Sequence, residues 1–170
     1  LVCQRLGVEA QMMIGTLGYS LLVVGVVCSS LIVLLNLWAL LKRKRAFLLE
    51  IRVLSAVGTL AVCAAFGLAI FLLVTGRFEY EMVYENTSRQ MDMLQKATAV
   101  WGNKNGSLLF WSFLLSICVS LTVFEKWEGK KEAYFHGVVL LLQLFNLFFV
   151  ALVAFETNPF ARLWQLANGE

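Results

Sequence analysis

Apolar residues do not alternate with polar ones along most of this chain; they run together. Four blocks stand out, at residues 14–41, 53–75, 108–124 and 138–155. A hydrocarbon core of about 30 Å takes roughly 20 helical residues, so each block suits one crossing. The first is long enough to cross with tilt and extend beyond the core. Spanning strands are excluded, because backbone groups in lipid must be satisfied internally and four spans are too few to close a barrel. The pattern predicts an all-α polytopic membrane protein, one bundle over residues 1–170, with one substantial extramembrane loop at residues 76–106.

That loop has a different period. Met93, Leu94, Ala97, Val100 and Trp101 recur at helical spacing, while Arg89, Asp92, Gln95 and Lys96 mostly fall elsewhere. The spacing predicts a short amphipathic helix lying on the membrane interface or on the protein's own surface. Thr87 followed by Gln90 has the form of a capping box at its start.

Composition changes the picture only by excluding a soluble domain. The chain is 60% hydrophobic and 15% charged, against about 45–50% and 25% for a soluble domain. The first block is not a secretory signal, since its run is too long for an h-region and its positive charges follow it. The chain begins at Leu1, so the expectation is that its true N-terminus is missing or processed.

Charge gives the orientation. The loop after the first span holds Lys42, Arg43, Lys44, Arg45 and Arg52, and the loop after the third holds Lys126, Lys130 and Lys131. The opposite side has Arg5, Arg77, Arg89, Lys96, Lys104 and Arg162, spread over much longer segments. By the positive-inside rule the dense basic cluster is cytoplasmic, and both termini lie on the outer, periplasmic-type side. Trp38 and Trp127 then mark the inner interface, and Trp101, Trp111 and Trp164 lie near the outer one.

The usual chemical constellations are missing. Cys3, Cys28, Cys63 and Cys118 form no C-x-x-C, and three of them lie inside spans. A thiol oxidase would need cysteine pairs in its outer loops, so that class is excluded; the cysteines read as small packing residues. His136 is the one histidine, at the inner start of the fourth span. It cannot build a bis-histidine haem site within this chain, and no metal site is expected. No phosphate loop, catalytic triad or zinc spacing is present. Gln143 and Asn146, three apart on the fourth span, and Asn36 on the first read as hydrogen-bonding links between helices. Gly15, Gly18 and Gly25 offer small surfaces for close helix contact.

Two ordered motifs carry a resemblance. The first is FEYEMVYENTS, with Phe78, Tyr80, Val83, Asn86 and Ser88, followed by W-G-x-x-x-G-S-L-L-x-W, in which Trp101, Gly102, Gly106, Ser107, Leu108, Leu109 and Trp111 stand. The second is ETNPFARL after the fourth span, through Asn158, Pro159, Phe160 and Leu163. This half of the chain resembles the N-terminal portion of the CcmF-type cytochrome c haem lyase subunit, of the CcmF/NrfE/CcsA superfamily. The first fifty residues add only hydropathy. Asn103, Lys104 and Asn105 stand where the family often has G-H-E-type residues, and a proline common in the preceding loop is missing.

The resemblance implies a component of the cytochrome c maturation haem lyase. Its outer cavity is where haem is attached to the thiols of a C-x-x-C-H apocytochrome c. Trp101, Gly102, Gly106, Ser107, Trp111, Asn158 and Pro159 are then the candidate wall of the haem vestibule. Haem would be held as cofactor or substrate in the complete protein, by ligands outside this chain, so this chain alone is not expected to be catalytic. Implied partners are the rest of the lyase, a haem chaperone, apocytochrome c and thiol-reducing subunits, in a bacterial inner membrane or a mitochondrial one. The chain would be a piece of a longer or split protein. On the residues alone, Gly102 and Gly106 read as a tight turn, Ser107 as the cap of the third span, and Trp101 and Trp111 as interfacial anchors. A non-catalytic four-helix subunit of a respiratory or photosynthetic complex remains the second reading.

Overall fold

The structure is a computed structural model. It describes residues 2–42, 47–127 and 134–163, with side chains from residue 13 onward. Arg43, Lys44, Arg45, Lys130, Lys131 and Trp164 therefore lie outside the described residues, as do the side chains of Cys3 and Arg5.

The described residues form six helices: α1 (Val2–Lys42), α2 (Leu48–Thr75), α3 (Glu81–Asn86), α4 (Met93–Thr98), α5 (Lys104–Phe124) and α6 (Phe135–Phe155). Four of them, α1, α2, α5 and α6, are long and apolar enough to cross a membrane, and they contain the four predicted blocks. They pack in a ring in which α1 touches α2 and α6, and α5 touches α2 and α6.

The distribution of polarity is that of a bundle in lipid. Ser29, Asn36, Ser55, Ser112, Ser116, Gln143 and Asn146 are buried between helices. Large apolar residues face outward instead, Leu60 at 68% exposure and Phe148 at 58% among them. Water would penalise that arrangement and hydrocarbon favours it. The fold fits a polytopic membrane protein.

Asn146 and Asn36 link the helices as expected, whereas Gln143 is buried with its Oε1 unbonded among the described residues. Ser116 donates to Asn146 Oδ1 at 3.0 Å, and Asn146 Nδ2 reaches Ser29 Oγ at 3.4 Å. Asn146 thus joins α6 to both α5 and α1. Asn36 on α1 meets His136 on α6 at 2.9 Å and donates to its own Ile32 carbonyl at 2.8 Å. Of the α1 glycines, Gly25 meets neighbouring helices as predicted, since a Cβ there would meet Val62 Cγ2 at 3.0 Å and Val150 Cγ1 at 3.3 Å, whereas Gly15 and Gly18 face Tyr80 and Phe160 outside the spans.

The two ends of the bundle differ. At the turn end, Phe47 enters α2 with φ of 70° and stacks on Trp38 at 4.9 Å between ring centroids. A non-glycine residue in the left-handed region is unfavourable alone, and here the ring stack holds it. Trp127 closes α5 by donating to the Thr122 carbonyl at 2.9 Å. The opposite end carries residues 76–106 and the segment after α6, and is called the loop end below. An apolar cluster there joins Leu22, Leu73, Tyr80, Val83, Val100, Leu109 and Phe160.

Candidate functional site

The loop end is built on a contact between segments far apart in sequence. Gly76 takes φ of 65° and ends α2, and the chain turns back at once. Glu81 N then donates to the Ala161 carbonyl at 3.1 Å, and Leu163 N donates to the Glu79 carbonyl at 3.2 Å. Tyr80 and Arg162 form an isolated antiparallel bridge. The Arg162 guanidinium also lies 5.7 Å from the centre of the Tyr80 ring, and both side chains are buried. The bridge clasps the FEYEMVY segment to NPFARL.

The clasp rests on small residues of α1. A Cβ at Gly15 would meet Tyr80 Cε1 at 3.1 Å, and one at Gly18 would lie 2.5–2.6 Å from three atoms of the Phe160 ring. Phe160 is presented by a local turn. Its amide donates to Asn158 Oδ1 at 3.2 Å, and Ala161 N donates to the Asn158 carbonyl at 3.0 Å. Pro159, buried between them, restricts φ and so reduces the freedom of the turn.

The W-G-N-K-N-G-S turn has a different geometry from the sequence expectation. The cap of α5 is Asn103, not Ser107: Gly106 N donates to Asn103 Oδ1 at 2.7 Å. Ser107 is already inside the helix, its amide bonded to the Asn103 carbonyl at 2.9 Å. The helix starts earlier than the apolar run because Asn103 also ties down the preceding turn, donating to the Ala99 carbonyl at 2.8 Å. Among the described residues Gly76 is the one glycine with positive φ, so neither Gly102 nor Gly106 serves a left-handed turn. Gly106 is needed for close approach instead. A Cβ there would overlap the Val100 carbonyl oxygen and lie 2.8 Å from its carbonyl carbon.

The second capping expectation is also corrected. Thr87 ends α3 and does not start a helix; its hydroxyl donates to the Val83 carbonyl at 2.7 Å. Asp92 is the N-cap of α4, and its amide donates to Gln95 Oε1 at 3.2 Å. The apolar stripe read along 93–101 divides: Val100 is buried, whereas Met93 and Leu94 are 72% and 75% exposed.

Trp101 and Trp111 are both exposed. Phe110 stands between them, its ring 5.7 Å from Trp101 and 6.4 Å from Trp111. The predicted site residues thus form two groups at one end of the bundle: the Trp101–Trp111 turn and the Asn158–Pro159 turn. Sequence reasoning missed Tyr80 and Arg162 as partners and Gly15 and Gly18 as their floor. Spacing could not reveal them, because the bridge joins residues on opposite sides of two spans.

The geometry just described has counterparts among known proteins. A solved structure of the cytochrome c haem lyase CcmF superposes with a TM-score of 0.75 and 26% identity, covering 93% of this chain. The chain resembles CcmF-type proteins in both sequence and fold. NrfE, a cytochrome c-type biogenesis protein of Haemophilus influenzae, is 29% identical over 153 residues, 89% of this chain. The biogenesis protein ccl1 of Rhodobacter capsulatus is 34% identical over 116 residues, 64% of this chain. The chain spans 18–26% of the length of these three relatives. No protein-family model matches it.

Haem is the group that the CcmF name implies. His136 is buried at the turn end, its Nδ1 against Asn36 Oδ1 and its ring edge-on to Phe135. Met82, Met91 and Met93 sit in the loop at the opposite end, too far along the bundle to share an iron with it. Among the described residues no group of three or more His, Cys, Asp or Glu could hold a metal. These residues do not fit a haem with two axial protein ligands. This chain, purified in detergent, should show no stoichiometric low-spin Soret band. A sharp band lost in His136→Ala would overturn that expectation.

Proposed function

We propose that this chain is a scaffold segment of a cytochrome c maturation haem lyase, and that its loop end walls the outer vestibule where haem meets apocytochrome c. One observation carries the reading: the 79–81 and 161–163 bridge, which brings both resemblance-bearing motifs to one end of the bundle. In thioether formation each thiol S–H adds across a haem vinyl C=C, the sulfur bonding one carbon and the proton ending on the other. This chain's residues would hold no reacting atom. Trp101 and Trp111 would offer exposed aromatic faces, and the Gly106 contact and the Asn158–Pro159 turn would fix the rim. Haem ligands would come from the rest of the lyase. The haem chaperone, apocytochrome c and thiol-reducing subunits are the proposed partners, and a bacterial cytoplasmic membrane or a mitochondrial inner membrane is the proposed location.

A photo-crosslinking residue in place of Trp101 tests the reading within a working maturation system. We expect an adduct with the C-x-x-C-H apocytochrome, and none from Leu121, which is exposed on the lipid-facing side of α5. Adducts with lipid alone at position 101 would favour a purely structural subunit.

Orientation belongs to the same proposal. By the positive-inside rule, Lys42, Arg52 and Lys126 at the turn end would put it inside and the loop end outside. Met93 and Leu94, exposed on α4, would then rest in the outer headgroup region. Cysteine placed at Lys104 should react with an impermeant reagent in intact cells, and cysteine at Lys126 should react only after lysis. The reverse pattern would invert the topology.

A further inference from the structure

The middle of the bundle holds a small cavity between α1, α2, α5 and α6, lined by Cys28, Ser29, Ser55, Thr59, Gln143 and Asn146, among others. Two buried polar atoms of these lining residues, Ser55 Oγ and Gln143 Oε1, have no hydrogen-bond partner among the described residues. Their side chains are 3% and 1% exposed. Asn146 bonds Ser116 and Ser29, and Thr59 donates to the Ser116 carbonyl at 3.0 Å.

A hydrogen bond left unmade at such a depth leaves the group's desolvation uncompensated. On the same wall α1 and α2 approach closely at Gly58, where an added Cβ would meet Cys28 Cβ at 3.1 Å. What is required is a small hydrogen-bond donor that can also accept. The cavity, about 10 Å3, is of the order of the one-probe space that admits a single water.

We propose that this cavity is a binding site for one ordered water molecule, which donates to Gln143 Oε1 and exchanges a hydrogen bond with Ser55 Oγ. The water links α2 to α6, the diagonal pair that the Ser116–Asn146–Ser29 bonds leave unjoined. It places a hydrated point inside the apolar bundle, where Gln143 would otherwise carry an uncompensated carbonyl oxygen.

Radiolytic hydroxyl labelling of the chain in its membrane, read by mass spectrometry, tests this. A bound water generates the radical in place, and Cys28 on the cavity wall is the reporter. Cys118, exposed on the lipid-facing side of α5, is the control. We expect Cys28 to be oxidised several-fold faster than Cys118. In Ser55→Ala/Gln143→Leu the Cys28 rate should fall to that of Cys118. Equal rates in the unmodified chain would overturn the proposal, as would undiminished Cys28 labelling in a folded double variant. Should the double variant not fold, Ser55→Ala alone must lower the Cys28 rate, and an unchanged rate there counts equally against the water.

Discussion

Gly106→Ala should unfold the turn that starts α5, although alanine is ordinarily the better helix former. The added Cβ would occupy the space of the Val100 carbonyl oxygen, with the Val100 carbonyl carbon at 2.8 Å and its Cα at 3.1 Å. Backbone atoms cannot rotate aside as a side chain can. Either Val100 leaves its fully buried place in the apolar cluster, or α5 loses its first turn and the Asn103 cap with it. Overpacking of this kind costs about 1–3 kcal/mol, occasionally more, and losing the cap adds about 1 kcal/mol. Gly106→Val should be worse. Gly102→Ala is the control: its nearest neighbour would be the Ala99 carbonyl oxygen at 3.7 Å, an ordinary contact. There the change should be neutral or stabilise by about 0.4–1 kcal/mol. Thermal unfolding in detergent separates the two, and haem-stained cytochrome c yield against membrane level reads the consequence. If Gly106→Ala melts with the parent chain, the close approach at Val100 is misassigned. Normal cytochrome c yield from a destabilised variant would confine the turn to a folding role.

Phe160→Ala should be the most damaging truncation at the loop end, costing about 3–5 kcal/mol as buried aromatic deletions do. Its ring fills the space over Gly18 on α1 and joins that helix to the clasp between Tyr80 and Arg162. The same contact predicts a coupling. Gly18→Ala alone should destabilise, because its Cβ would lie within 2.6 Å of ring atoms held by the Asn158 turn. In the Phe160→Ala background the same change should cost little, since the obstructing ring is gone. Residues in contact are where additivity fails, by about 0.5–3 kcal/mol. A full double-mutant cycle on unfolding midpoints measures this. Additive effects would mean that Phe160 does not sit on Gly18. Because Asn158 and Pro159 only present Phe160, Asn158→Ala should be milder than Phe160→Ala.

Hydropathy along the chain was enough to determine the four spans, because crossing a fixed thickness of hydrocarbon depends on length and polarity and on nothing that happens elsewhere in the chain. Gly15, Gly18 and Gly25 were legible as contact surfaces for the same kind of reason: a missing side chain permits approach whatever the partner. Asn36, Gln143 and Asn146 were legible as polar groups that must face inward. Which atoms they reach was decided only by the tertiary structure. Asn36 finds His136 one hundred positions away, while the Gln143 carbonyl oxygen has no hydrogen-bond partner among the described residues. The helix starts were misread for a related cause. Thr87 and Ser107 have the chemistry of caps, but a hydroxyl can equally bond back to its own helix, as Thr87 does to Val83. Packing of Val100 against Gly106 selects Asn103 instead. The clasp of Tyr80 on Arg162 is tertiary altogether. Its two strands of a single bridge are too short to leave a period, and they meet only because α2 and α6 end at the same side of the bundle.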